Sequence, residues 1–142
     1  MPDAQATEAD YAAQEQLLGQ IEDVLLQYRD LAQQVESVTD QIAERTSGRT
    51  DQALLEAARV YSAKLEMPSL IYRSLAYIHS RVNAIVPAVR QSQLDLYGTL
   101  RQDWEVERRM VQQALGAELT AFNAVLARFG LPAIQPVGSN GT

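Results

Sequence analysis

His79 is the single histidine of the chain, and cysteine is absent. Zinc sites are built from about three or four His, Cys or carboxylate ligands. The paired Glu-x-x-His motif of di-iron bundles needs two histidines. His79 therefore reads as a packed or half-exposed ring at the edge of a helical core, and no metal is implied. Asp103, Glu105 and Glu107 flank Trp104, but residues two apart do not share one helix face. They read as solvated charge interleaved with Arg101, Arg108 and Arg109. A glycosidase needs two carboxyls held across a sugar cleft, which a packed bundle does not offer. No glycine-rich phosphate loop, Gly-x-Ser-x-Gly elbow or His-Glu-x-x-His occurs. No Ser or Thr has an evident base partner. The expectation is a protein that is not an enzyme, with no catalytic residue, no metal and no cofactor.

Tyrosine outnumbers phenylalanine, six to two. Tyr suits a boundary position, with its ring buried and its hydroxyl wet. Tyr72 and Tyr77 lie five residues apart, so at about 100° per residue they point to different sides of a helix. Exposed aromatic rings favour interfaces. Tyr72, Tyr77, Trp104 and His79 are the candidate interaction surface.

The elements that position these residues follow from an apolar repeat running nearly end to end. Leu18, Ile21, Leu25, Tyr28, Ala32, Val35 and Ile42 step mostly by three and four along a first helix expected over about 8–44. A second row, Leu17, Val24, Leu31 and Val38, recurs every seven residues beside it. The apolar face is thus wider than a two-stranded coiled-coil seam, and the helix should touch at least two neighbours. Thr7 caps this helix, with Asp10 three residues on. Gly19 sits inside it at a cost of about 1 kcal/mol. Gly48 gives a left-handed stop, and Thr50 reads as the cap of the next helix. That helix carries Leu54, Ala58, Tyr61 and Leu65. Pro68 interrupts it, and Ser69 reads as a restart cap ahead of Ile71, Leu75, Ile78, Val82, Ile85 and Val89. Val86-Pro87 marks a second turn. The last helix is expected over about 88–129, with the stripe Tyr97, Leu100, Trp104, Val111, Leu115, Leu119, Phe122, Leu126 and Phe129. Part of this stripe recurs every eleven residues, which predicts a nearly straight rod there. Gly130 and Pro132 end it.

The fold expected is all-α: an elongated antiparallel bundle of three long helices, the middle one kinked or broken at Pro68. A four-helix up-down bundle is the alternative. Residues 1–7 read as a flexible lead, 8–134 as one domain and 135–142 as a disordered tail. The chain is 46% apolar and carries a formal charge of −6. Its basic residues are scattered among more numerous acids, which disfavours nucleic acid as a partner. The N-terminus does not read as a signal peptide. No apolar run approaches the roughly 20 residues that span a bilayer.

Two stretches resemble a known family. One is Pro2-Asp3 to Ala12-Ala13 with Gln14-Glu15-Gln16-Leu17-Leu18 and Tyr28-Arg29-Asp30. The other is Ile71-Tyr72-Arg73-Ser74-Leu75-Ala76-Tyr77, followed later by Leu119 to Leu126 and Gly130-Leu131-Pro132-Ala133-Ile134. Their order and spacing resemble the C-terminal helical region of bacterial sortilin-like, BNR-repeat β-propeller proteins. In that family a longer, Pro-rich connection stands where this chain has Glu66-Met67-Pro68-Ser69. The resemblance implies an accessory module to a propeller, extracytoplasmic in origin, with sugar chemistry confined to the absent propeller. Together with the missing site chemistry, it leads to one functional expectation: a non-catalytic bundle that mediates association, with itself as a homo-oligomer or with a propeller domain. The alternative is a stand-alone small-ligand-binding or sensor bundle, with a gap between helices near Pro68 and Tyr72.

Overall fold

A computed structural model describes residues 7–83 and 89–137. Five helical segments follow in order among the described residues: α1 Glu8–Thr46, α2 Gln52–Ala63, α3 Ser69–Val82, α4 Gln91–Leu115 and α5 Ala117–Arg128. No strand occurs among those residues. The fold is an all-α helical bundle, with its middle helix broken at Pro68. The lead before Thr7, the Val86-Pro87 turn, Ile85, the start of the last helix at Ala88 and the tail from Gly138 lie outside the described residues.

α1 begins with a reciprocal capping box. The Thr7 amide donates to Asp10 Oδ2 at 2.9 Å, and the Asp10 amide donates to Thr7 Oγ1 at 3.1 Å. Two orphan donors are thereby satisfied at the helix start. The row spaced by seven forms the deepest part of its face: Leu17, Val24, Leu31 and Val38 are all buried. Leu18, Tyr28 and Ala32 of the other row are only half-buried. Gly48, at φ +73°, turns the chain after α1.

Both expected restart caps are displaced by one residue. Asp51, not Thr50, holds the cap position of α2, and its carbonyl accepts the Leu55 amide. Pro68, not Ser69, holds that of α3, and its carbonyl accepts the Ile71 amide. The reason is the same in each case. The backbone carbonyl closes the first turn, and neither cap uses a side-chain acceptor. Before Pro68, the Lys64 and Leu65 amides bond three residues back, to Tyr61 and Ser62. This 3₁₀-type tightening ends α2 ahead of the proline.

The last helix corrects the expectation of a nearly straight rod. It breaks at Gly116, with φ −106° and ψ −98°. A Cβ at this position would lie 3.3 Å from the Gln112 carbonyl oxygen, so glycine permits the close approach. Ala114 replaces Leu115 as the buried residue there. α5 then ends in a Schellman motif. Gly130 sits at φ +72°, its amide donates to Ala127, and the Leu131 amide reaches back to Leu126.

By its contacts the chain divides into two compact units, where the sequence reads as one domain over 8–134. The first unit comprises Met1–Tyr28 and Pro68–Val106; the second comprises Arg29–Met67 and Glu107–Thr142. In the first unit, α3 runs antiparallel to α1. Tyr72 meets Tyr28, His79 meets Glu22, and the Val82 carbonyl meets Gln14. Leu17, Ile21, Leu75, Ile78, Val82 and Trp104 fill its core. In the second unit, α2 runs antiparallel to α5, with Tyr61 against Phe122 and Lys64 against Glu118. The tail is held further than the expected fraying point at 135. Arg45 donates to the Pro132 and Ala133 carbonyls, Gln41 donates to the Gln135 carbonyl, and the Val137 amide donates to Ser37 Oγ.

Candidate docking surface

α3 is apolar on two opposite sides. Leu75, Ile78 and Val82 point inward and are buried. Leu70 and Tyr77, seven residues apart, stand over one another on the far side at 3.6 residues per turn. They are 68% and 61% exposed. Arg73 and Arg81 lie along the same outward stripe and are also exposed. The Arg81 guanidinium sits 5.8 Å from the centre of the Tyr77 ring, within cation–π range. The inner side alone accounts for how α3 packs in its own unit. The outward Leu–Arg–Tyr–Arg stripe has no such role.

Charge is segregated in the same unit. Residues 67–94 contain Arg73, Arg81 and Arg90 and no carboxylate. Residues 7–28 contain Glu8, Asp10, Glu15, Glu22 and Asp23 and no Lys or Arg. A stripe of α1 that borders its contact with α3 alternates apolar and acidic residues: Tyr11, Glu15, Leu18, Glu22, which faces His79, and Leu26. Tyr11 and Leu26 are 53% and 56% exposed, Glu15 and Glu22 are exposed, and Leu18 is half-buried. α1 and α3 therefore carry stripes of opposite charge.

The sequence-derived surface residues separate in the structure. Tyr77 lies on the outward face. Tyr72 is half-buried, its ring 4.7 Å from that of Tyr28, so the expected gap near Pro68 and Tyr72 is filled on the Tyr72 side. His79 is half-buried, and its Nε2 lies 2.8 Å from Glu22 Oε2. Trp104 is a correction. It is fully buried, its indole N–H donates to Gln27 Oε1 at 3.0 Å, and its ring lies 5.5 Å from that of Tyr28. The charged neighbours in sequence point away from it, because successive residues on a helix diverge by about 100°. It belongs to the core stripe. Burial, and next the neighbouring Tyr72, push the Tyr28 hydroxyl above its ordinary pKa.

Sequence reasoning missed Leu70, Arg73, Arg81, Tyr11 and Leu26. Two signals could have found them: the spacing of seven from Leu70 to Tyr77, and the long stretch without a carboxylate around it.

In the second unit, a groove of ≈ 460 Å³ opens beside the Gly116 break, with Met110, Lys64, Glu66 and Glu107 on its walls. No group of three or more metal-ligating side chains occurs among the described residues. No helix among them is long and apolar enough to cross a membrane. No family model, characterised protein or solved structure matches this chain.

Proposed function

We infer that this chain is a non-catalytic helical module that binds another protein through the outward face of α3. One observation carries the reading: Leu70 and Tyr77 stand exposed on a helix whose other side already fills the core of its unit. Apolar and aromatic side chains flanked by arginine are the composition of interface cores. The basic stripe selects a partner helix that carries carboxylates between its apolar residues. The family resemblance makes a β-propeller protein one partner to test for such a segment.

The test pairs two measurements on the folded chain. Light scattering coupled to size exclusion reads self-association. Calorimetric titration with a synthetic amphipathic helix of alternating Leu and Glu reads binding of the partner chemistry. At least one should give a saturable signal that Leu70→Ser with Tyr77→Ser abolishes. A chain that stays monomeric and also ignores the acidic helix refutes association through this face.

A second reading, a bundle that holds a small ligand, draws on the groove beside Gly116. Its volume falls within the roughly 300–1,000 Å³ range of ligand pockets, but Lys64 at its edge is already ion-paired with Glu118. A ligand whose thermal stabilisation disappears in Met110→Glu would favour this reading over the first.

A further inference from the structure

Ser37, Gln41 and Arg45 follow one another at intervals of four on α1, so they share one stripe of the helix. All three engage the segment 132–137, and they engage its backbone. Arg45 Nε and Nη2 donate to the successive carbonyls of Pro132 and Ala133, both at 3.1 Å. The Gln41 amide takes both polar groups of Gln135: its Nε2 donates to the carbonyl at 2.7 Å, and its Oε1 accepts the amide at 3.4 Å. Ser37 Oγ accepts the Val137 amide at 3.1 Å and also Gln41 Nε2 at 3.1 Å. From α5, Asn123 brackets the Ile134 amide and carbonyl in the same way.

The partners descend α1 as the segment advances, so the two run antiparallel. From Arg45 to Ser37 the helix covers about 12 Å. A fully extended chain of about 3.1 Å per residue covers about 12 Å from Ala133 to Val137. The ladder on α1 therefore has the pitch of an extended peptide.

One side chain is read. Ile134 is 1% exposed, whereas Ala133, Gln135 and Val137 are exposed. A segment that merely closed a core would contribute more apolar side chains than this. Pro132 and Pro136 flank Ile134 at two residues on either side. Neither has an amide proton, and the ladder calls for a donor at neither position. Proline there holds the free peptide extended and lowers the cost of ordering it.

We propose that Ser37, Gln41, Arg45 and Asn123 form a binding site for an extended peptide of the pattern Pro-x-Ile-x-Pro on a partner protein, with residues 131–137 as its resident, displaceable occupant. Main-chain hydrogen bonds supply affinity, and the pocket around the isoleucine supplies selectivity. Displacement exchanges like for like. It uncovers one fully buried side chain and leaves the backbone bonds of α1 and α5 intact, which is a local opening rather than global unfolding. The site lies within the second unit and is independent of the α3 face.

The probe is a fluorescein-labelled peptide with the sequence of 131–137, titrated by anisotropy against the full chain carrying Ile134→Glu. That variant expels the resident anchor and keeps the ladder. Binding should be saturable and submillimolar. Wild type should bind at least about tenfold more weakly, because its tethered segment competes at millimolar effective concentration. Adding Asn123→Ala, or Gln41→Ala with Arg45→Ala, to the Ile134→Glu chain should abolish binding. A peptide with serine at the isoleucine position should not bind, while changes at the alanine and glutamine positions should be tolerated. No saturable binding to a folded Ile134→Glu chain, or binding that survives loss of the ladder, overturns the proposal. Hydrogen exchange of the wild type decides the matter without a variant. The Ile134, Gln135 and Val137 amides should exchange together and faster than those in the middle of α5. Exchange of these amides only with global unfolding would show that the segment is not displaceable and would equally overturn it.

Discussion

Tyr61→Phe tests how the second unit tolerates its broken helix. Tyr61 is 4% exposed. Its hydroxyl donates to the Ala114 carbonyl at 2.8 Å, two residues before the break at Gly116. Its ring stacks on Phe122 at 5.0 Å with planes 16° apart. Phenylalanine keeps the ring contact and removes only the donor. A neutral hydrogen bond contributes about 0.5–1.5 kcal/mol net, and a buried acceptor left unpaired costs about 1–3 kcal/mol. The expected loss is about 1–2 kcal/mol. At about 2.1 cal/mol/K of unfolding entropy per residue, that lowers the melting temperature by about 3–7 °C.

The same variant carries a pH signature. Burial first, and then the Glu118 carboxylate, push the Tyr61 hydroxyl up to about 12. An unfolded tyrosine ionises near 10. Below pH 10 both states hold the proton, and the wild type keeps its full advantage over Tyr61→Phe. Between about 10 and 12 only the unfolded state ionises, so wild-type stability falls by about 1.4 kcal/mol per pH unit at most. Urea denaturation of the two proteins from pH 7 to 11 should show their stabilities converging near the top of that range. Burial also raises Tyr28 and Tyr97, so only the difference between wild type and variant isolates Tyr61. Equal midpoints at pH 7, or a gap that widens as pH rises, would refute the reasoning.

The remaining predictions concern both units. Asn123 clamps the chain after α5: its Nδ2 donates to the Ile134 carbonyl at 3.0 Å, and its Oδ1 accepts the Ile134 amide at 2.7 Å. Asn123→Ala should cost about 2 kcal/mol and expose 131–137 to limited proteolysis; an unaltered cleavage pattern would mean the clamp holds nothing. Trp104→Ala should lose about 3–5 kcal/mol, as expected for a buried aromatic ring. Native Trp104 emission should be blue-shifted and poorly quenched by acrylamide, and a red-shifted, quenchable spectrum would return this residue to the surface.

The helices were legible because three- and four-residue apolar steps dominate the chain. Leu54, Ala58, Tyr61, Leu65, Leu75, Ile78 and Val82 are buried where their spacing places them. The Thr7–Asp10 box and the Gly130 stop also follow from residue type. The break at Gly116 was hidden because the stripe Val111, Leu115, Leu119, Phe122 continues across it, and periodicity records faces rather than local backbone angles. Trp104 was placed on the surface by its charged neighbours, although its own spacing from Leu100 and Val111 put it in the core. The outward stripe of α3 is not legible in the sequence because apolar periodicity marks the dominant face of a helix. Leu70 and Tyr77 form a second face, and only side-chain exposure separates it from the first.

Tyrosine footprinting by mass spectrometry addresses the outward face of α3 most directly. Tyr77 should react readily in dilute protein and become protected as protein concentration rises or as the Leu/Glu helix is added, while Tyr61 stays unreactive throughout. A Tyr77 that modifies at the same rate under all of these conditions would contradict the account.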